Sequence, residues 1–356
     1  MGINPLDAND LRERIQANLD AFVTDHRSLM AAVSPDTLPL LESLEGLLVG
    51  GKRLRPAFAY WGFQAAGGQD SAEVLRACAS LEFLQACALI HDDVMDASDT
   101  RRGKPAIHKQ FEALHNTNGW NGSAKLFGEG SAILVGDLAL SWADEMLLTS
   151  GLSNDQLLRA KAIYDIMRTE LMSGQYLDLL EQVRGGITHE RAETVIRFKS
   201  AKYTIERPLH MGAVLAADAS PALLAALSDY GLPLGEAFQF RDDLLGVFGD
   251  PSVTGKPTGD DLREGKRTAL IAMTDTKCTD AMKAESRKYF GKNDIDDKGV
   301  AILQEMIVST GAKAALETMI DELTSKALKA IENPAIEIAG RDLLNELALI
   351  ATKRSM

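Results

Sequence analysis

Three cysteines among 356 residues leave little scope for a disulfide framework. Cys78, Cys87 and Cys278 form no CxxC and sit in apolar or helical contexts, so they read as core thiols in a reducing compartment. A basic excess is also missing. The formal charge of −13 argues against non-specific nucleic-acid binding. It does not exclude an anionic substrate, because local cations or a metal outweigh net charge. The six histidines show no zinc spacing, and GxSxG, Walker A and GxGxxG elements are absent. No uncharged run approaches the roughly 18 residues of a membrane span, and Asp137 interrupts the best candidate. Residues 1–10 are polar and contain Pro5, so no signal peptide is expected and the expected location is the cytoplasm. Strand alternation, tandem repeats and low-complexity tracts are missing as well.

What remains is helical. Leu11, Ile15, Leu19 and Phe22 form one apolar stripe, and Leu38, Leu41, Leu44 and Leu48 another. Residues 57–91 are helix-forming apart from a break at 67–70, and 124–148, 152–181, 189–217 and 221–248 follow. Residues 103–123 read as a loop with one short helix, 251–267 as a charged loop, and 268–356 as helices with short polar breaks. At 46% hydrophobic, this pattern predicts an all-α fold, a single large helical bundle around a central cavity. Residues 1–35 would be an N-terminal helical extension and about 36–356 the core of one domain.

The stretch ACALIHDDVMDASDTRRG, residues 86–103, holds the strongest signal. On a helix Asp92 and Asp96 share a face with Asp93 on its flank. Three carboxylates within little more than one turn repel unless a cation joins them. Mg²⁺ takes one or two carboxylates plus phosphate oxygens. Arg101 and Arg102, just beyond, suit a phosphate group. A lone DDxxD is more often a solvated acidic helix end, but here the acids close an apolar run. Residues 238–250, FQFRDDLLGVFGD, repeat the arrangement with Asp242 and Asp243.

Other pieces leave two readings open. Lys52, Arg53 and Arg55 follow Gly50 and Gly51, either clamping a diphosphate or merely starting a helix at its positive dipole end. Gly174 lies mid-helix beside Gln175 and Asp178, for close packing or for ligand approach. Lys199, Ser200, Lys202 and Tyr203 share an otherwise apolar helix, where a lysine either meets an anion or faces solvent. Lys256 and Lys266 flank Asp260 and Asp261 in the charged loop, a lid or an ordinary surface loop. His91 adjoins the first acidic pair and reads as a packing residue.

Together these segments resemble the trans-isoprenyl diphosphate synthases, the polyprenyl synthetase family. From about residue 47 to 266 the motifs GGKRLRP, DDVMD, TRRG, GQ, KSA, FQFRDD and GDPSVTGKP occur in the family's order. The resemblance implies an all-α homodimer joining isopentenyl diphosphate head to tail to an allylic diphosphate. Asp92, Asp93 and Asp96, with Asp242 and Asp243, would bind the allylic diphosphate through three Mg²⁺, for which Mn²⁺ can substitute. Lys52, Arg55, Gln85 and Arg102 match the isopentenyl diphosphate site. Arg101, Lys199, Gln239, Lys256 and Lys266 match the allylic diphosphate site, and Lys199, Ser200 and Gln239 would also surround the nascent cation. Lys353 and Arg354 match a basic tail that closes over the site in some members. Two departures stand out: Gly246 replaces a common third aspartate, with Asp250 no direct substitute, and Ser200 replaces a common threonine.

Product length follows from helix pitch, since one turn rises about 5.4 Å, roughly one isoprene unit. Cys87 and Ala88, one turn from Asp92, are small where farnesyl-producing relatives carry aromatics. A pocket deeper than C15 follows, with C20 the first expectation and Leu84, helped by Trp142, as floor. A longer-chain synthase, C25 or more, is the main alternative, and a non-catalytic subunit of a heteromeric synthase a lesser one. A class I terpene cyclase would not need the GGKRLRP clamp.

Overall fold

The computed structural model describes residues 4–184, 188–217, 219–251, 257–292 and 294–353, so Lys256 and Arg354 lie outside the described residues. Helices carry the fold, as the missing strand alternation predicts. Among the described residues the one sheet is a small antiparallel hairpin, β1 (Thr100–Arg101) and β2 (Lys104–Pro105), with Thr100 opposite Pro105. The chain divides into two compact units, Met1–Lys161 with Met211–Asp218, and Ala162–His210 with Ala219–Met356.

The first unit contains α1 (Leu11–Val33), α2 (Leu38–Leu48), α3 (Leu54–Ala65), α4 (Ala72–Met95), α5 (Ile107–Asn118) and α6 (Ala124–Leu148). Helix α4 is its axis, packed most extensively on α6 and also on α3 and α1. Its apolar residues fall on every side, which is the pattern of an enclosed helix. Leu75, Leu81, Phe83, Leu84 and Ile90 are all buried, each worth about 1.5–3 kcal/mol. Ser71 starts the helix by accepting the Val74 amide at 3.2 Å. By length and mean hydropathy α4, rather than the stretch around Asp137, most resembles a membrane span, yet 72% of its apolar window is buried within the protein. Helix α5 is longer than expected because Ile107, Phe111 and His115 bury one stripe, and Gly119 then stops it at φ +63°.

The second unit contains the greater part of α7 (Asn154–Arg184), then α8 (His189–Val195), a π-helical segment (Ile196–Glu206) and the first turn of α9 (Arg207–Ala216), whose remainder from Met211 belongs to the first unit. Next come α10 (Pro221–Phe248), α11 (Asp260–Glu264), α12 (Ala269–Lys277), α13 (Asp280–Ser286), α14 (Asp297–Ser309), α15 (Ala312–Ala330) and α16 (Ile338–Thr352). Phe240, Leu244 and Val247 of α10 share a core with Leu270, Leu316 and Ile320. Ser220 and Thr268 cap α10 and α12 by accepting the Leu223 and Ile271 amides, each cap worth about 1 kcal/mol.

The π-helical turns break the plain helix expected over 189–217. Such turns are wide and mostly appear near functional positions. Both neighbouring helices make room for the extra width. A Cβ on Gly174 of α7 would lie 2.5 Å from the Lys199 amide nitrogen, and one on Gly235 of α10 would lie 2.5 Å from the Ala201 Cα. Helix packing is therefore what Gly174 serves. Lys202 is spoken for by Glu206 at 3.0 Å and Glu170 at 3.4 Å, while Arg207 holds Glu170 through two hydrogen bonds.

Candidate active site

In the first unit, Gly50 and Gly51 turn the chain with φ of +76° and +88° before α3. Arg53 then takes a left-handed φ of +54°, a conformation that costs an ordinary residue about 1–3 kcal/mol. Its guanidinium is buried and donates to Glu82, Gln16 and the Leu48 carbonyl. Arg53 thus fastens α1, α2 and α4 together and is not available to a ligand, while Lys52 beside it is exposed and Arg55 half-buried. Glu82, the acid that makes this possible, was missed in the sequence because a lone glutamate in an apolar helix has no motif.

Arg102, in the hairpin, has the same kind of strained backbone, φ +53°. Its Nη1 donates to the Leu47 carbonyl at 3.0 Å, and a Cβ on Gly51 would come within 3.2 Å of Nη2. The glycine is there so that the guanidinium can lie against the turn. Loss of water lowers the Arg102 pKa below its ordinary value, and nearby Arg53, Arg101 and Arg55 push the same way against Glu82. Crowding of like charge at strained positions is what an anion site requires.

Asp92, Asp93 and Asp96 occupy the last turn of α4, with Asp96 as its C-cap. That is the negative end of the helix dipole, the less favourable end for carboxylates. Arg101 answers part of the charge: it holds buried Asp93 through Nε at 3.0 Å and through Nη2, and approaches Asp92 at 3.6 Å. Gln85 lies two turns back on the Asp92 face, half-buried. Leu84 and Cys87 are buried and Ala88 half-buried. Trp142, Phe83, Phe22 and His26 close into an aromatic cluster, with Phe22 and Phe83 5.1 Å and His26 and Trp142 4.7 Å apart. His91 packs on α6, its Nε2 3.1 Å from the Ile133 carbonyl.

In the second unit a relay runs across two elements. The Ser200 hydroxyl donates to Gln239 Oε1 at 2.6 Å, and Gln239 Nε2 donates to Asp243 Oδ1 at 2.9 Å. Serine in place of threonine keeps the hydroxyl that this relay uses. Lys199 Nζ meets Asp178 of α7 at 2.6 Å, the anionic partner that its apolar helix called for. Lys266 pairs with Glu264 at 2.8 Å and Asp261 at 3.9 Å.

Gly246 explains itself once Asp261 is placed. A Cβ there would lie 1.9 Å from Asp261 Oδ2 and 2.4 Å from its Cγ. The carboxylate of α11 fills the space that a side chain at 246 would take and stands as a further acid near Asp243. In the sequence Asp261 is part of a charged loop, and the missing aspartate at 246 leaves Asp242, Asp243 and water as the expected metal donors there.

Among the described residues no cluster of three acids, cysteines or histidines is ready-made as a metal cage. Mg²⁺ needs none, since it keeps several waters and takes one or two carboxylates with phosphate oxygens. The donor set does fit a hard cation. Asp243 Oδ2 is buried with no hydrogen-bond partner, and burial pushes the Asp243 carboxyl up to about 8, with Asp261 and Asp242 adding to it and Gln239 opposing.

These features define a class, the isoprenyl diphosphate synthases, and the family model described as polyprenyl synthetase matches residues 39–307. The chain belongs to the polyprenyl synthetase family, whose members are prenyltransferases. The crystal structure of geranylgeranyl pyrophosphate synthase from Corynebacterium glutamicum, complexed with isoprenyl diphosphate and magnesium, is 41% identical with a TM-score of 0.94, covering 100% of both chains. Geranylfarnesyl diphosphate synthase of Aeropyrum pernix is 31% identical over 92% of this chain and 96% of its own. The short chain isoprenyl diphosphate synthase of Methanothermobacter thermautotrophicus is 32% identical, over 80% and 81% respectively.

Proposed function

We propose that this prenyltransferase condenses isopentenyl diphosphate with C5, C10 and C15 allylic diphosphates and releases geranylgeranyl diphosphate, C20. The observation that carries the reading is the crowd of Arg55, Arg101 and Arg102 beside Asp92, Asp93 and Asp96. It provides a diphosphate clamp next to metal-binding acids, and a cyclase, with one diphosphate to bind, has no use for both. Lys52, Arg55, Gln85 and Arg102 bind isopentenyl diphosphate. Asp92, Asp93 and Asp96, and separately Asp242 and Asp243 with Asp261, hold Mg²⁺, three ions in all. When bound, Mg²⁺ draws charge from the departing diphosphate of the allylic substrate. Arg101, Lys199, Lys256 and Lys266 stabilise the same developing charge. Gln239 and Ser200, fixed by their mutual hydrogen bond, turn their oxygen dipoles toward the allylic cation. The isopentenyl double bond attacks C1 of that cation, and the proton lost goes to the released diphosphate.

Small Cys87 and Ala88 leave the wall open, and Leu84 with the Trp142 cluster forms the floor. A C25 product is the second reading, favoured by the geranylfarnesyl relative. A homodimer is part of the proposal, supported by the exposed Leu126, Ile133 and Leu134 along α6. The three unbridged cysteines are in keeping with a reducing, cytoplasmic setting.

The test is incubation with Mg²⁺, labelled isopentenyl diphosphate and each allylic primer, followed by sizing of the dephosphorylated alcohols. A C20 alcohol supports the reading, and longer alcohols move the floor beyond Leu84. No condensation with any primer would sink the enzyme assignment for this chain. In the same assay Ala88→Phe shortens the product toward C15, and an unchanged length removes this wall as the determinant.

A further inference from the structure

Away from these residues, the second unit contains a cavity of about 320 Å³ between α12, α13 and α14. Its base is apolar, with Leu262, Leu303 and Ile307 buried. Arg267, Lys283 and Arg287 line it, with one facing acid, Asp275. Among the described residues none of the three cations has a carboxylate within 4.0 Å, and none donates a side-chain hydrogen bond. Arg267 rests only on the Phe290 ring, 5.8 Å from its centroid. Burial raises the Asp275 carboxyl above its ordinary range against the pull of the three cations around it, and even fully charged it balances only one of them.

Arg287 is exposed and Arg267 and Lys283 are half-buried, so water reaches them. Three cations against the single Asp275 still leave an excess of positive charge over an apolar base, which suits a ligand that brings both an anion and a tail. Guanidinium and ammonium groups in such numbers select phosphate oxygens. The volume lies at the lower end of ligand pockets and admits roughly ten water-sized groups, enough for a tail alone, so a head group would stay at the rim beside exposed Arg287. We propose that this cavity is a second binding site, for an anionic amphiphile made of a phosphate head and an aliphatic tail of about ten carbons. The head lies against Arg267, Lys283 and Arg287, and the tail on Leu303, Ile307 and Phe290. One short helix joins this cavity to the metal-binding acids, because α11 turns Leu262 into the cavity and Asp261 toward Gly246.

Calorimetry on the full chain with geranyl monophosphate, in EDTA, tests the site without metal-dependent binding at the aspartate motifs. The wild type binds in a class of sites that weakens at least tenfold in Lys283→Glu/Arg287→Glu, while condensation activity and thermal midpoint stay unchanged. Geraniol alone and inorganic pyrophosphate alone each bind at least tenfold more weakly than geranyl monophosphate. If the charge reversal unfolds the protein, Lys283→Gln/Arg287→Gln gives the same loss. Equal binding by wild type and variant overturns the proposal. So does pyrophosphate binding as tightly as geranyl monophosphate, which would leave a plain anion site with no role for the apolar base. Neither result bears on the condensation reaction, which the Mg²⁺ assay reads separately.

Discussion

Around the hairpin of the first unit cations crowd together, whereas around the end of α10 in the second unit carboxylates do. Arg102 is held near Arg53, Arg55 and Arg101 by strained backbone and a glycine turn, and its pKa falls. Asp243 is buried near Asp242 and Asp261, and its pKa rises to about 8. In the first region the cations stand beside Asp92, Asp93 and Glu82, which answer part of their charge, whereas in the second the carboxylates around Asp243 reinforce one another. An anion suits the first region and a cation the second, the pairing that the proposed condensation of two diphosphates uses.

The largest expected effect separates the two regions by the step they serve. Asp243→Asn keeps the side chain's shape and its bond from Gln239 but removes the charge proposed to hold Mg²⁺, so kcat falls about 10²–10³-fold with the protein still folded. Arg102→Lys, by contrast, gives up the guanidinium fork while keeping the charge. KM for isopentenyl diphosphate then rises about 10–100-fold, and KM for the allylic substrate stays within twofold. Steady-state kinetics with each substrate varied in turn would separate these outcomes. Equal changes in both KM values would erase the distinction between the regions.

A smaller effect tests how the cation-binding region was assembled. Gly246→Asp puts a side chain into the space of the Asp261 carboxylate, and kcat falls about tenfold as both acids are displaced. Gly246→Asp/Asp261→Gly returns the third acid to α10 and recovers most of that loss. Failure of the double variant to recover would mean that Asp261 does more than replace the absent aspartate.

How far the sequence showed these regions depended on how local each signal was. The helices of the core were legible because apolar periodicity is a property of neighbours three and four apart. Asp92, Asp93, Asp96, Asp242 and Asp243 stood out because they end apolar runs, and the fold sets the first three at the end of α4 and the other two on α10. Whether Arg53 joins a clamp or only starts a helix stayed open in the sequence, since only folding reveals Glu82, Gln16 and Leu48 around it. The π-helical turns at Lys199 and Ser200 were invisible for a similar reason. They depend on two glycines, Gly174 and Gly235, that lie far along the chain. Asp261 needed both the gap at 246 and the fold that fills it.

The smallest effect is thermodynamic and belongs to the metal-free protein. Asp243 has a folded pKa of about 8 against an ordinary value of 3.8. A raised pKa means that the folded state favours the proton. The associated stability is present in full below about pH 4 and is lost as pH rises through the folded value of about 8. In EDTA the wild type's thermal midpoint should therefore fall between pH 6.5 and 8.5 by a few degrees more than that of Asp243→Asn, which has no proton to lose. Arg102→Gln should show the wild-type slope, because a guanidinium with a lowered pKa still keeps its charge across that range. Parallel midpoint curves for wild type and Asp243→Asn would show that burial does not hold the proton on Asp243. The second region would then be a solvated acid cluster, and its contrast with the first would rest on geometry alone.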